Sequence, residues 1–137
     1  MDSLADLLRE YEQAFSAPDT DAMAWAYASH FLLSSPAMVS SISNDHRFRI
    51  ILLQAASFYR SIGMRSAWIL SHAEIPADEL HTMVHAEWGL YREDGSELVR
   101  FDVMYLIRTS GSEPGIVFIS ARNEEERLQE RGLLPRE

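Results

Sequence analysis

The most informative absence in this chain of 137 residues is that of cysteine. Without thiols, disulfide bonds and zinc sites built on thiolates are excluded. Basic side chains are also scarce, because twelve of them stand against twenty-one acidic ones and leave a formal net charge of −9. We therefore expect neither nucleic acid nor an anionic membrane as a partner.

Long apolar runs are missing as well. No run approaches the ~20 residues that a membrane-spanning helix needs, and the N-terminus lacks the basic and apolar regions of a signal peptide. We therefore expect a cytoplasmic protein. With 47% hydrophobic and 24% charged residues, the composition is typical of a soluble globular protein, and the length suits one domain over residues 1–137.

What the sequence does contain is a β-hairpin between His81 and Arg108. Asp94 and Gly95 lie between two runs of alternating apolar and polar residues, which is a strong hairpin signal. With a two-residue turn at this point, two residues lie opposite each other when their numbers sum to 189. One face is then continuously apolar, with the pairs Leu90/Val99, Trp88/Phe101, Ala86/Val103 and Val84/Tyr105.

A three-residue loop would move this register by one position. It would set Trp88 against Arg100 and mix the two faces, so we reject it.

The other face of the predicted hairpin sets Glu87 opposite Asp102. Like charges directly across a ladder are destabilising, and a solvated face with compensation from Arg100 or His85 is one account of the pair. The second account is a homodimer that packs sheet against sheet, in which the carboxylates meet an arginine of the partner. This face also carries much apolar surface: Met83, Tyr91, Leu98, Met104 and Leu106.

Helices and strands follow a clear order along the rest of the chain. Apolar spacing and capping residues predict three helices before the hairpin: Ser3 to Pro18, Asp21 to about Ser29, and Asn44 or Asp45 to Ile62, with Gly63 after it. A short strand or strand pair falls near Phe31–Val39, a strand covers Arg65–Ala73, a central strand covers Gly115–Ala121, and a short helix runs from Asn123 to Arg131. The acidic run Glu124-Glu125-Glu126 is interpreted as solvated surface.

This order predicts an α+β domain, with three helices on the concave face of a curved, mostly antiparallel sheet. The chain resembles the nuclear-transport-factor-2-like superfamily, in particular its small polyketide-cyclase-like members, over about residues 3 to 123. The resemblance rests on the first helix ending at Pro18-Asp19, on Tyr59 to Gly63, and on Glu87-Trp88 through Asp94-Gly95 to Arg108. Glu113-Pro114-Gly115-Ile116 departs from the Gly-Trp-Arg-Ile that often opens the last strand of relatives.

The resemblance implies a cone with a pocket between helices and sheet. The superfamily hosts isomerases, cyclases, dehydratases and epoxide hydrolases beside binding and dimerising domains, so the fold does not choose among them. The residues expected to line the pocket are Tyr27, His30, Phe31, Tyr59, Trp68, Trp88, Phe101 and Tyr105.

Each of these side chains also has a structural interpretation. Trp88 and Phe101 could serve as core packing alone, whereas the Tyr105 hydroxyl could donate to a ligand. His30 could act as a general base or bond a carbonyl at a helix end.

The sequence shows no carboxylate on the inner face, because Asp102 falls on the opposite face from Tyr105. His81 and His85 would lie ~13 Å apart on an extended strand, which disfavours a metal pair. We therefore expect a protein without cofactor or metal that binds a small, mainly apolar ligand. A pocket enzyme of the isomerase, cyclase or dehydratase type, using acid–base chemistry, is the alternative.

Overall fold

The computed structural model describes residues 4–112, 114–121 and 123–134, so the predicted cap Ser3 and the departing residue Glu113 lie outside the described residues. Its elements are α1 (Leu4–Ser16), α2 (Thr20–Trp25), β1 (Tyr27–Ser34), β2 (Val39–Ser43), α3 (His46–Ser61), β3 (Ser66–Pro76), β4 (His81–Tyr91), β5 (Glu97–Arg108), β6 (Gly115–Ser120) and α4 (Glu124–Glu130).

The strands form one curved sheet in the order β2-β1-β6-β5-β4-β3. β1 and β6 run parallel, and the other neighbouring strands run antiparallel. The predicted α+β architecture is therefore confirmed, with β6 in the interior of the sheet as expected. None of the described helices combines the length and the apolar character needed to cross a membrane.

Helix α1 is fastened to the edge strand β3 by side chains rather than by packing alone. The Ser16 hydroxyl donates to the Ala67 carbonyl at 2.7 Å and accepts from its backbone N–H at 2.8 Å. The Glu12 carboxylate accepts from the backbone N–H of Ile69 at 2.5 Å. These bonds satisfy backbone groups at the sheet edge and fix the apolar stripe of α1 over the sheet, with Tyr11 pointing inward.

Helix α2 is shorter than the sequence predicted. It ends at Trp25, and the chain from Tyr27 onward pairs with β6 instead of continuing as helix to Ser29. The Ala26 carbonyl accepts from the N–H of Ile116 at 2.9 Å. Tertiary strand pairing thus overrides the helical propensity of this alanine-rich segment.

The two candidate caps of α3 have different functions. Asp45 is the N-cap, and its carboxylate accepts from the N–H groups of Arg47 and Phe48 at 2.9 and 3.2 Å. The Asn44 amide instead donates to the Ala24 and Tyr27 carbonyls at 2.8 and 3.1 Å. Asn44 therefore ties the start of α3 to the junction where α2 becomes β1.

The hairpin register is confirmed along most of its length. Trp88 pairs with Phe101 and Glu87 with Asp102, as the alternation of faces required. The turn itself was predicted wrongly. Arg92 N–H donates to the Ser96 carbonyl at 2.9 Å and Gly95 N–H to the Arg92 carbonyl at 3.0 Å, so the loop has three residues, and its last residue, Gly95, has φ +85°.

A β-bulge reconciles the three-residue loop with the predicted register. Tyr91 pairs with Glu97, whereas Leu90 pairs with Val99, so Leu98 is one extra residue in β5. A bulge of this kind allows a three-residue loop without mixing the two faces of the hairpin. As a consequence, Leu98 does not face Tyr91 on the outer face; its side chain is fully buried in the core.

Helix α4 continues the chain along β5 beyond the end of β6. Asn123 is at the N-cap position of α4, but its side chain makes no capping bond. The Asn123 amide oxygen accepts from Asp102 N–H at 2.7 Å, and its nitrogen donates to the Asp102 carboxylate at 3.1 Å. Leu128 then buries its side chain in the core, so α4 lies as a wall beside the interior.

Candidate functional site

The interior between helices and sheet is built from aromatic rings around Tyr11. Its ring lies 5.7 Å from that of Tyr27, 5.9 Å from that of Trp88 and 6.1 Å from that of Tyr105, each edge to face. Such contacts use the positive edge and negative face of the rings. Three separate elements, α1, β1 and the β4–β5 hairpin, therefore bring their aromatic residues to one place.

Polar atoms form a row inside this aromatic interior. The Trp88 indole Nε1–H donates to the Tyr105 hydroxyl at 2.9 Å. The hydroxyl oxygens of Tyr11 and Tyr27 lie 2.6 Å apart, and either hydroxyl can donate to the other. All four of these residues are buried.

Burial keeps the three phenols in their neutral form. Desolvation raises the pKa of Tyr11, Tyr27 and Tyr105 above the ordinary value for tyrosine. The mutual proximity of the phenols raises these pKa values further, since a second phenolate beside the first would be repelled. At neutral pH the three hydroxyls are therefore both donors and acceptors.

One carboxyl group belongs to the same region. Glu124 is the first residue of α4, and burial raises its pKa from 4.5 to about 7. Its negative charge contributes to the raised pKa of both Tyr11 and Tyr27. Glu125 and Glu126 are exposed, in agreement with the interpretation of this acidic run as solvated surface, whereas Glu124 is half-buried.

Six of the eight predicted pocket residues are buried in the structure. Tyr27, Phe31, Trp88, Phe101 and Tyr105 belong to the core beneath the helices, and Tyr59 approaches it from α3. Phe31 packs its ring 4.6 Å from that of Tyr27. Contact between these side chains and a ligand stays a prediction.

The structure places His30 and Trp68 elsewhere. The His30 ring is exposed, and the Ser29 hydroxyl lies 3.4 Å from its Nδ1. Trp68 is 47% exposed on the outer face of β3, opposite Gly89. Neither side chain meets the tyrosine hydroxyls.

Tyr11 and Glu124 are the interior residues that the sequence analysis missed. Tyr11 lies on the apolar stripe of α1, where a phenol gives the same periodic signal as any large apolar residue. Glu124 lies four residues before the buried Leu128, so both occupy one helix face. That spacing was the available signal, but the acidic run around Glu124 concealed it.

A small crevice reaches toward these rings from the helical side. Its volume is about 30 Å³, room for about one or two water molecules, and it is lined by Phe15, Met23, Leu52, Ala55, Ala56, Tyr59 and Met64. The Phe15 ring lies 5.4 Å from that of Tyr59 and 5.2 Å from that of Trp88. One aromatic ring thus separates the crevice from the row of polar atoms.

The outer face of the sheet is a second, shallower candidate surface. His85 Nε2 lies 3.5 Å from a carboxylate oxygen of Asp102. A guanidinium nitrogen of Arg100 lies 4.0 Å from a carboxylate oxygen of Glu87. Arg100 also forms an ion pair with Glu97. Among the residues that the structure describes, no group of three or more acidic or histidine side chains is arranged to hold a metal ion.

The architecture matches a well-populated class of folds. An NTF2-like protein from Shewanella oneidensis superimposes with a TM-score of 0.64 at 18% identity, covering 85% of this chain and 93% of that chain. An NTF2-like protein with a cystatin-like fold from Novosphingobium aromaticivorans gives 0.69 at 9% identity, with 98% and 88% covered. A ketosteroid isomerase-like protein from Erwinia carotovora atroseptica gives 0.60 at 12% identity, with 86% and 91% covered.

These solved structures share the fold of this domain. The chain belongs to the family of NTF2-like proteins designated DUF6841, whose sequence model matches residues 2–124. The predicted superfamily is therefore confirmed. A comparison with curated proteins gives no match.

Proposed function

We propose that this domain binds a small, mainly apolar molecule between its helices and its sheet. The observation that carries the proposal is the row formed by Trp88 Nε1, Tyr105, Tyr11 and Tyr27 inside an aromatic interior. Phenylalanine would pack as well as tyrosine without bringing a hydroxyl that needs a partner in the core. Three phenols at one place therefore favour a binding function for their hydroxyls.

A ligand with one polar atom can join this row without leaving a buried group unsatisfied. The Tyr11 and Tyr27 hydroxyls now bond to each other at 2.6 Å, and a ligand oxygen or nitrogen between them would exchange that bond for two others. The apolar body of the ligand would then contact the surrounding rings. Such a site gives orientation through a few polar groups and affinity through apolar burial.

Entry from the crevice requires movement of one side chain. Phe15 stands between the crevice and Trp88, and a change of its rotamer would join the crevice to the hydroxyl row. Side-chain rotation of this kind is a common adjustment on binding. The proposal therefore predicts that binding perturbs both Phe15 and the Trp88 indole.

The experiment is a titration with 2-naphthol, followed through the indole N–H resonance of Trp88 in an NMR spectrum. We expect a saturable shift of that resonance, assigned with Trp88→Phe. Tyr105→Phe should weaken binding by about 0.5–1.5 kcal/mol, the net value of one hydrogen bond, and Tyr91→Phe on the outer face is the matched control. An unshifted Trp88 signal, or Tyr105→Phe with lower stability and unchanged affinity, would contradict the proposal.

An acid–base enzyme is the second candidate, and Glu124 favours it. A carboxyl whose pKa is raised to about 7 can take up and release protons near neutral pH. Neutral phenols beside it could stabilise negative charge that develops on a substrate oxygen. The test is deuterium incorporation from D₂O into 2-indanone: the enzyme predicts exchange that Glu124→Gln abolishes, and equal exchange with and without protein rejects it.

We also propose that the domain forms a homodimer through the outer face of its sheet. Trp68 and Leu70 are exposed on β3, and Met83, Met104 and Leu106 on β4 and β5 are half-buried. This face carries both acidic side chains and Arg100, so two copies related by a two-fold axis can pair unlike charges. The expected interface buries on the order of 1,200–2,000 Å² in total.

Light scattering at high micromolar concentration tests this association. We expect a dimer mass for the parent protein and a monomer mass for Trp68→Glu. Trp25→Glu, at a tryptophan of similar exposure on the helical side, should leave the dimer intact. A monomer mass for the parent protein, or equal effects of the two substitutions, would reject the outer face as the interface.

A further inference from the structure

Strand β5 is longer than its neighbour β6, so part of its edge has no strand beside it. β6 pairs with β5 only from Met104 onward. Among the described residues, no strand lies next to residues 97–103 on that side. An open strand edge carries N–H and C=O groups that can pair with another chain.

Helix α4 runs along this open edge and is anchored at both of its ends. Before the helix, Asn123 forms two hydrogen bonds with Asp102. After the helix, Arg131 donates to the Glu97 carbonyl at 3.3 Å. Between the two anchors, strand and helix leave a groove of about 340 Å³, the edge groove. This volume lies within the usual range for small-ligand sites.

The sheet wall of the edge groove consists largely of main chain. Val99 and Phe101 line the groove, but their side chains are buried in the core. Along an antiparallel strand, alternate residues direct their N–H and C=O groups to opposite sides. Because Asp102 directs its N–H away from β4 to Asn123, Arg100, two residues earlier in the same regular ladder, directs both groups to that side as well. The groove therefore offers one main-chain donor and one main-chain acceptor.

The two ends of the edge groove carry opposite charge. At one end, Arg131 donates to the Glu97 carbonyl and has no carboxylate in an ion pair with it among the described residues. At the other end, Glu87 and Asp102 lie opposite each other on the two strands. The remaining carboxylates of the lining, those of Glu97 and Glu130, are each paired with an arginine. The groove is thus positive at the end of α4 and negative at its start.

We propose that the edge groove binds a short zwitterionic peptide, about three residues long, that extends antiparallel to β5. The length follows from the strand. Glu97 and Asp102 are five residues apart, roughly 15 Å along a strand, whereas three extended residues span roughly 10 Å. The Arg131 side chain covers the remainder. This site is separate from the aromatic interior, so the inference does not rest on the function proposed above.

Both main chain and charge hold the peptide in this direction. In an antiparallel pair, two opposite residues exchange both of their main-chain hydrogen bonds, so the middle residue of the peptide donates to the Arg100 carbonyl and accepts from the Arg100 N–H. The C-terminal carboxylate accepts two N–H groups from the planar Arg131 guanidinium. The N-terminal ammonium lies beside Glu87 and Asp102. Main-chain pairing of this kind gives affinity without requiring particular side chains.

The experiment titrates trialanine into the full chain and follows the backbone N–H resonance of Arg100 in an NMR spectrum. We expect a saturable shift of that resonance. Trialanine amide, which lacks the carboxylate, should bind about tenfold more weakly, the effect of one charged hydrogen bond. Trialanine methylated on the nitrogen of its middle residue, which cannot donate to the Arg100 carbonyl, should bind about fivefold more weakly. These probes leave the protein itself unchanged.

Two protein variants locate the carboxylate of the peptide. Arg131→Gln should abolish the preference for trialanine over its amide. Arg65→Gln is the matched control, because Arg65 is also exposed and donates to main-chain carbonyls, those of Arg60 and Met64. It should keep the preference.

Several results would overturn the inference. An Arg100 resonance that does not shift would exclude the groove as the binding site. Equal affinities for trialanine and its amide would remove the role of the carboxylate, and equal affinities for trialanine and its methylated form would remove the main-chain pairing. A preference lost equally in Arg131→Gln and Arg65→Gln would show that overall charge, rather than the edge groove, selects the peptide.

Discussion

The two faces of the β4–β5 hairpin share one backbone but differ in how completely they are packed. On the inner face, Trp88 and Phe101 stand opposite each other and are 2% and 5% exposed. On the outer face, the adjacent positions set Glu87 opposite Asp102, and both remain half-buried among partly exposed apolar side chains. Alternation along the two strands thus gives a fully packed core on the inner face and a partly exposed surface on the outer face.

This difference shows which face determines the register. A shift by one residue would bring Arg100 into the position of Phe101 and expose the tryptophan, at a cost far above any gain on the outer face. The outer face therefore accepts a like-charge pair that is unfavourable by itself. Its side chains are therefore not constrained by packing in the core.

The largest expected effect is a difference in stability between two matched substitutions, one on each face of the sheet. Trp88→Ala should lower the free energy of unfolding by about 3–5 kcal/mol, because it removes a buried ring and leaves a cavity. Trp68→Ala on the outer face is the matched change, and it should cost less than about 1 kcal/mol in the dilute protein. Urea denaturation measures both, and similar losses for the two variants would contradict the comparison.

The next effect concerns the pH dependence of stability. The pKa of Glu124 is raised in the folded protein from 4.5 to about 7, so the folded state holds this proton after the unfolded state has lost it. Stability is therefore greatest below pH 4.5 for this group and is lost as pH rises through 7, on the order of 3 kcal/mol in total.

Glu124→Gln should flatten that part of the stability profile, and Glu125→Gln should reproduce the parent curve. Urea unfolding from pH 4.5 to pH 8 provides the measurement. Parallel curves for the parent protein and Glu124→Gln would show that the carboxyl titrates normally.

A smaller effect is expected from one hydroxyl on the inner face. Tyr105→Phe removes the acceptor of the Trp88 indole N–H and leaves a buried donor unsatisfied, at a cost of about 1–1.5 kcal/mol. Tyr91→Phe, on the outer face of the same hairpin, should change stability by less than about 0.5 kcal/mol. Thermal unfolding distinguishes them, and an unchanged melting temperature for Tyr105→Phe would show that another group replaces the lost acceptor.

The smallest effect tests the like-charge pair itself. Glu87→Gln should raise the stability of the monomer by about 0.2–0.5 kcal/mol at low salt, because it removes the repulsion from Asp102 across the ladder. The gain should disappear at high salt. Glu93→Gln in the exposed turn is the control, and a gain independent of salt would point to a cause other than charge.

The sequence predicted the elements that depend on local pattern. The face alternation of β4 and β5, the Asp45 cap and the three-helix arrangement follow from periodicity and capping, and the structure has them. The end of α2 could not be predicted from local sequence. It is set by the pairing of β1 with β6, which lies some ninety residues further along the chain. The predicted length of the hairpin loop was wrong for a related reason. The extra residue in the β5 bulge compensates for the extra residue in the loop, so the register of the paired strands does not reveal the loop length.

The candidate site was predicted less completely than the fold. Buried aromatic residues were identified by their size and spacing, and Tyr27, Trp88 and Tyr105 do lie together. The partner of the Tyr27 hydroxyl is Tyr11, which comes from α1, and no local pattern determines the position of that helix over the sheet. Trp68 was misplaced for a different reason, because a large aromatic residue on an edge strand has the same appearance whether it faces inward or outward.

The bulge at Leu98 has a consequence for protein engineering. Because it takes up the odd residue between the turn and the paired strands, the length of the turn is separated from the orientation of Trp88. The tip from Glu93 to Gly95 is exposed, so a flexible insertion of ten or so glycine and serine residues there would cost little loop entropy. A fluorophore or an affinity peptide could thus be grafted at this tip, close in sequence to the core tryptophan and without turning it outward.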